Sequence, residues 1–448
     1  KRIPHAALVA TQVKYLARAR TKLPSYYEAR CILPPLAFEQ ASSEACAARK
    51  SCSGNTVLDL TCGLGVDAST LKTLPRVITL ERDATLAAVA EENFRRLGAT
   101  NIRVINSSAE AFLASTLDHF DWIYADPTVA APEGKLVRLE DCSPDIPKLL
   151  PELRRIAPNL CVKNSPLFDV GETFRLFGPC RTEVVSLHDE CKEVVVYTDG
   201  TGPLLTAVAL ELGEFSCTPA EARATPCDKP FDPAAYRWLL IPDVALQKAR
   251  LTPTYLQGHA DIWSPNGYGF TQRKSPKDTW VRWLEIERIE PYNPKQLKRE
   301  LSGSRLTILK QDFPLTAAEI AARLGIREGG ERRIAFTKLG QDLDNPSKIA
   351  TFEKRPEMKV KNVFTYFTDT ILRRNANSYR NPRVRWAVRQ YKLLFYTEDC
   401  IIKFLKVASL DIDTFLASNA DANSCLPSLA RRKTACTSCW SWEKLADM

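Results

Sequence analysis

Long apolar runs are missing from this 448-residue chain. The longest, such as residues 204–212, stop well short of the ~18 to 20 residues a helix needs to cross a bilayer, so no membrane partner is expected. Glycine and proline, at 18 and 29 residues, are too scarce for a collagen-like or low-complexity chain. Histidine occurs only at 5, 119, 188 and 259, without ligand spacing, and these four are read as structural. One close cysteine pair is present, Cys436 and Cys439, and with no second pair or histidine partner it predicts no metal site. The N-terminus, with Lys1, Arg2, Pro4, His5, Lys14, Arg18 and Arg20, lacks the unbroken apolar core of a secretory signal. A cytoplasmic chain with its fourteen cysteines reduced is expected, and a start at Lys rather than Met suggests a few residues missing in front.

What is present is a globular composition, 45% apolar and 26% charged, and a length that predicts two or three compact units. The net charge of +9 is uneven, with +6 in residues 356–448 and +3 in everything before. A basic balance favours a polyanionic partner through counterion release, and an ordinary solvated surface explains it equally well.

Residues 6–20 mix apolar and basic positions at helical spacing and end at a break over Lys22 and Pro24. From Thr56 onward, apolar strand-like runs near 57–61, 76–81, 102–106, 121–125 and 159–163 alternate with helical runs near 66–74, 84–97 and 145–157. This alternation predicts an α/β fold with a parallel sheet covered on both faces. The runs 183–188, 193–198 and 204–212 follow without long helices, which predicts antiparallel strands closing one edge. A loop over 217–233 marks a domain boundary. Beyond it, Asn293-Pro294 starts a short helix and Thr316 with Glu319 forms a capping box, between strand candidates 305–310 and 332–337.

Chemistry-bearing residues gather at strand ends. Asp59 closes an apolar strand and Thr61, Gly63 and Gly65 follow in the turn, where glycine lets the backbone approach a ligand closely. Gly63-x-Gly65-x-x-Ala68 also fits a dinucleotide fingerprint. A carboxylate four residues before the first glycine would oppose a pyrophosphate but suits a ligand with an ammonium and a sulfonium, which points to S-adenosylmethionine and disfavours a nicotinamide oxidoreductase. Glu81 ends the second strand, where a carboxylate can accept both ribose hydroxyls. Ser108 and Ala109, after the third strand, can read an adenine edge or cap the next helix. Asp126 and Pro127 end the fourth strand in the crevice where open sheets bind ligands, and Asp126 can hold a nucleophilic amine with its lone pair aimed at a methyl carbon. Glu39 and Gln40 precede the sheet as a possible lid that reaches the substrate, or as part of a segment where Ser42 and Ser43 cap a helix. Arg138, Glu140 and Asp145 are polar candidates for the acceptor pocket, and Arg327, Arg332, Arg333 and Lys338 could touch phosphates.

The order Asp59-x-x-x-Gly63-x-Gly65, Glu81, Asp126-Pro127 resembles the class I S-adenosylmethionine-dependent methyltransferases. It is most similar to a bacterial family of these enzymes with a C-terminal THUMP-like domain. The residues that carry this are Lys22 to Pro24, Pro34-Pro35, Glu39 to Glu44, Gly134-Lys135 with 137–145, and 190–193. Further on, Pro242, Ala245, Lys248, Ala249, 290–293, 312–315 and Gly329-Gly330 also fit. The resemblance covers roughly residues 8–355 and implies a Rossmann-like seven-stranded methyltransferase sheet with small α+β modules, ferredoxin-like and THUMP-like. It divides the chain into an N-terminal helical segment (1–50), the methyltransferase domain (51–216), a ferredoxin-like segment (234–282), a THUMP-like domain (283–355) and a basic tail of unassigned role (356–448). It implies Asp126 and Pro127 as catalytic, and Asp59, Thr61, Gly63, Gly65, Glu81, Ser108 and Ala109 as holding S-adenosylmethionine. By analogy with THUMP domains, structured RNA is the expected substrate, met by Glu39, Gln40, Arg138, Arg332 and Arg333. The chain departs from the family at Thr128-Val129, where the pattern Asp-Pro-Ala-Arg is expected, and no aromatic stands there to stack a flipped base. That departure motivates the alternative of a fold that binds cofactor and RNA without chemistry.

Overall fold

The structure is a computed structural model and describes residues 5–129, 138–222, 227, 230–264, 266–274, 278–339 and 348–352. The tail expected at 356–448, the pair Cys436 and Cys439, and Gly134, Lys135 and Val137 lie outside the described residues. Four helices lead: α1 (Ala6–Lys22), α2 (Pro24–Glu28), α3 (Pro35–Gln40) and α4 (Glu44–Arg49). Pro24 and Pro35 sit in first turns, where a missing N–H costs nothing, and Ser43 caps α4 by accepting from the Cys46 amide. Ala19, Leu23, Tyr26, Leu33 and Phe38 pack with Leu64 and Val66, so these helices rest on the glycine turn.

The α/β region follows as β1 (Thr56–Asp59), α5 (Val66–Thr70), β2 (Arg76–Glu81), α6 (Ala84–Arg96), β3 (Ile102–Asn106), α7 (Ala109–Ser115) and β4 (Trp122–Ala125). It continues through β5 (Thr128–Val129), β6 (Cys142–Ser143), α8 (Ile146–Ile156), β7 (Asn159–Asn164), α9 (Val170–Phe177), β8 (Arg181–Leu187), β9 (Glu190–Tyr197), β10 (Leu204–Ala209) and β11 (Gly213–Cys217). One sheet runs β11-β10-β8-β9-β7-β4-β1-β2-β3, with β5 and β6 paired separately. Its seven-stranded part, β3-β2-β1-β4-β7-β9-β8, is the expected Rossmann-like arrangement, and β10 and β11 extend it to nine strands.

The edge differs from the expected run of antiparallel strands. β9 is antiparallel to both β7 and β8 and lies between them, whereas β10 runs parallel to β8. His188 and Asp189 both take positive φ, 56° and 59°, and fold the chain back as a two-residue hairpin that sets β9 antiparallel beside β8. The chain then returns to extend β8 on its other side.

A second sheet contains β12 (Trp238–Pro242), β13 (Asp261–Ile262), β14 (Gly269–Thr271), β15 (Val281–Pro291), β16 (Arg305–Gln311), β17 (Arg327–Thr337) and β18 (Lys348–Phe352). Helices α10 (Val244–Lys248), α11 (Thr252–Leu256), α12 (Pro294–Leu301) and α13 (Ala317–Leu324) accompany it. Its order is β13-β14-β12-β15-β18-β17-β16, and β15 crosses the 282/283 position, so both small modules share one sheet. Two cores lie against it, one around Phe231, Trp263 and Phe270 that also takes in Leu284, Ala335 and Leu339, the other around Leu297, Ile320 and Phe336. The capping box at Thr316 and Glu319 forms, and Asn293 caps α12. The two sheets are locked together at Asp243, whose Oδ1 accepts from Ser186 Oγ at 2.7 Å and from the Ala245 amide at 2.8 Å.

Candidate functional site

In a parallel sheet every strand delivers its last residue to one rim, and here the segments following β1, β2, β3, β4 and β7 surround a cavity of about 770 Å³. That volume lies within the ~300 to 1,000 Å³ of small-molecule sites. α3 overhangs it, and Gln40 lines it alongside Leu36 and Ala41.

The turn after β1 is shaped by glycine. Gly63 and Gly65 take φ of 53° and 83°. A Cβ on Gly63 would meet nothing within 4 Å, while one on Gly65 would fall 2.5 Å from the Phe94 ring. Gly63 therefore leaves open backbone toward the cavity, and Gly65 allows α6 to pack close. Both glycines were expected at the site, but only Gly63 lines the cavity.

Glu81 lines the cavity with both oxygens anchored: Oε2 accepts from the Gly63 amide and Oε1 from the Asp83 amide, each at 2.9 Å. Each oxygen keeps a further lone pair. Thr61, Ser108 and Ala109 also line it, and Ser108 caps α7 through the Ala111 amide at 3.2 Å.

Asp59 is placed differently from the expectation that it meets a cationic ligand. It is 1% exposed, does not line the cavity, and is held from within. Its Oδ1 accepts from the Thr61 amide (2.9 Å) and hydroxyl (3.3 Å), and its Oδ2 from the Thr79 hydroxyl (2.7 Å). Burial pushes its carboxyl up to about 7, against hydrogen bonds from Thr79 and Thr61 that hold it down. Asp59 thus fixes the loop from beneath.

Asp126 and Pro127 line the cavity at the end of β4. The Asp126 amide donates to Thr61 Oγ1 at 2.7 Å, so the β1 and β4 loops are joined. Lys163, at the end of β7, donates to Asp126 Oδ2 at 2.6 Å, and both side chains retain some exposure, 15% for Lys163 and 26% for Asp126. Burial raises the Asp126 pKa, opposed by Lys163. Burial would lower that of Lys163, but Asp126, Asp67 and Glu193 outweigh it.

Behind this pair lies a buried ionic group. Lys50 Nζ sits 2.8 Å from Asp67 Oδ1 and 2.9 Å from Glu193 Oε1, and Ser42 donates to Asp67 Oδ2 at 3.0 Å. Burial acts to raise the Asp67 pKa, yet Lys50 and Lys163 hold it below the ordinary carboxylate value. Reasoning from sequence missed Lys163, Lys50 and Asp67. Lys163 carried a usable signal, a charge at the carboxyl end of an apolar strand, the same sign that marked Asp126.

The remaining candidates stand apart. Glu39 is exposed and paired with Arg18, while the Lys22 ammonium donates to the carbonyls of Phe38 (2.7 Å) and Glu39 (3.1 Å), anchoring the end of α3. Arg138 is exposed and outside the cavity lining, Glu140 pairs with Arg175, and Asp145 caps α8 through the Lys148 amide. Arg332 and Arg333 lie on β17 in the second sheet; Arg332 pairs with Glu287 at 3.5 Å. Among the described residues, no group of three or more His, Cys, Asp or Glu side chains is placed to hold a metal ion. No described helix is long and apolar enough to cross a membrane.

Residues 281–349 match the THUMP domain-like family. Among solved structures, the chain is similar to a candidate methyltransferase from Porphyromonas gingivalis W83, with 26% identity and a TM-score of 0.64, over 79% of this chain and 92% of that one. An rRNA methylase from Streptococcus thermophilus is 15% identical over 34% of this chain and 91% of its own, with a TM-score of 0.26. The N-terminal domain of EvdMO1, solved with SAH bound, is 17% identical over 35% of this chain and 81% of its own, with a TM-score of 0.27. A comparison with curated proteins finds no match.

Proposed function

From a chain with the class I methyltransferase fold and a THUMP-like module, we propose that the protein methylates a nitrogen of a nucleobase in structured RNA, with S-adenosylmethionine as donor. One observation carries the reading: the glycine turn, Glu81, Ser108 and Asp126, which come from four different strand ends, all line a single cavity of about 770 Å³. The donor supplies a methyl group already activated on a sulfonium.

The residues present suit such a ligand. Gly63 offers open backbone, and the free lone pairs of Glu81, with its oxygens fixed by two amides, can accept a pair of ribose hydroxyls. Ser108 and Ala109 suit an adenine edge. Asp59 contributes through Thr61, whose hydroxyl it helps to orient.

For the acceptor, Asp126 has one oxygen held by Lys163 and one left to accept an N–H from the base. That hydrogen bond aims the nitrogen lone pair at the methyl carbon, and alignment is the main contribution the protein makes to the rate. Oδ1 can then hold the proton that the methylated nitrogen loses. Lys163 opposes the rise that burial gives the Asp126 pKa. With Thr128 and Val129 after Pro127, no ring stacks the base at this position, so its orientation falls to Asp126 and the loop. RNA is the reading for the substrate because of the THUMP-like match, with Arg332 and Arg333 on that module as phosphate contacts and Gln40 lining the cavity.

The test is transfer of tritium from methyl-labelled S-adenosylmethionine into total RNA. The native chain should label RNA, and Asp126→Asn should lower the rate about 100-fold or more, in the range for a lost general base, with donor binding retained. No label with any RNA, despite donor binding by calorimetry, would favour the non-catalytic alternative.

A further inference from the structure

A second cavity, of about 730 Å³, opens in the second sheet. Leu240 and Leu256 form its floor, and Tyr255, Trp280 and Trp283 its walls. These three rings and Trp238 are only partly buried, a costly way to leave large aromatics unless something covers them.

The walls are built, not loose. Tyr255 packs edge-on against Phe215 of β11 at 5.1 Å and lies 6.0 Å from the Trp280 ring. Asp278, the one carboxylate among the described residues lining the cavity, is occupied internally: its Oδ1 accepts from the Tyr255 hydroxyl and the Trp280 amide, both at 2.9 Å. The Trp280 carbonyl in turn accepts from the Asp243 amide at 2.8 Å, at the joint between the two sheets. The rim is cationic. Arg273 and Lys274 are exposed there, with the Lys274 ammonium 4.8 Å from the Trp238 ring centre.

Flat rings beside exposed cations match a ligand that is itself flat and anionic. We propose that this cavity binds an unpaired nucleotide of the RNA, with its base against Trp280 and Trp283 and its flanking phosphates on Arg273 and Lys274. The inference rests on the RNA reading above and adds a site distinct from the methyl-donor cavity.

The full chain should be titrated with a short oligouridylate, reading tryptophan fluorescence and the anisotropy of labelled RNA. Saturable quenching is expected for the native chain. Trp280→Ala should weaken binding about tenfold, within the range for one stacked base. Because Trp280 also packs, the exposed pair Arg273→Ala with Lys274→Ala serves as the second variant. With an unchanged melting temperature it should bind more weakly and flatten the salt dependence by about 1.4 in log–log slope. Equal affinity in both variants overturns the inference, as does a duplex RNA that quenches as strongly as the single strand, or a peptide that quenches where RNA does not. These outcomes leave tritium transfer by the native chain untouched, whereas failed transfer with quenching intact removes the catalytic reading and spares this site.

Discussion

At the end of β1, three hydrogen bonds converge on the buried Asp59 carboxyl, and burial still raises its pKa to about 7. An unfolded aspartate titrates near ~3.9, so the folded state holds the proton more tightly. The contribution is fully present below about pH 4 and is lost as pH rises through about 7, with stability falling by up to ~1.4 kcal/mol per pH unit in between. Asn keeps the shape without titrating, so Asp59→Asn should remove this slope; urea unfolding of both chains from pH 4 to 8 measures it. Equal pH dependence in the two would count against a buried, raised carboxyl. Strand ends with Asp, Glu and Gly were legible because a parallel sheet aims them at one rim, which is how Glu81 and Asp126 were found. The direction of the Asp59 side chain was not, since it depends on Thr79, a residue of the neighbouring strand. Lys163 stood at a legible strand end, but its pairing with Asp126 was not legible, since that partner stands 37 positions away in the chain.

The turn joining β1 to α5 shows what an element demands of its glycines. Gly63 faces open space, so Gly63→Ala should cost only about 1 kcal/mol for a left-handed residue. Gly65→Ala adds a Cβ 2.5 Å from the buried Phe94 ring, and overpacking brings a further ~1 to 3 kcal/mol. Thermal melts should therefore rank Gly65→Ala below Gly63→Ala, and the reverse order would contradict the packing described. Helices α1, α6 and α8 and strands β2 and β3 followed closely from periodicity and caps. Strand order did not, because apolar runs at 183–188, 193–198 and 204–212 have the same pattern whichever neighbour they pair with. The positive φ at His188 and Asp189 turns β9 back antiparallel to β8, and the pairing with β7 on its other side is a long-range choice.

Across the molecule, one cation connects parts distant in sequence. Lys50, 3% exposed at its side chain, joins the N-terminal helices to Asp67 on α5 and Glu193 on β9. Lys50→Met would leave two buried carboxylates facing each other, and losing one member of a buried group costs ~3 to 5 kcal/mol. Urea unfolding should show that loss, with part of it recovered on adding Asp67→Asn; no loss would mean the group is solvated. The sharing of one sheet by both small modules was illegible because β15 is a single 11-residue strand spanning the position where the sequence pattern changes. The claim on which the functional reading depends is that the strand-end cavity holds the methyl donor. Calorimetric titration with S-adenosylhomocysteine tests it most directly. The account predicts saturable heat with the native chain and its loss in Glu81→Ala at matched melting temperature; no heat with the native chain, or equal heat in both, would contradict it.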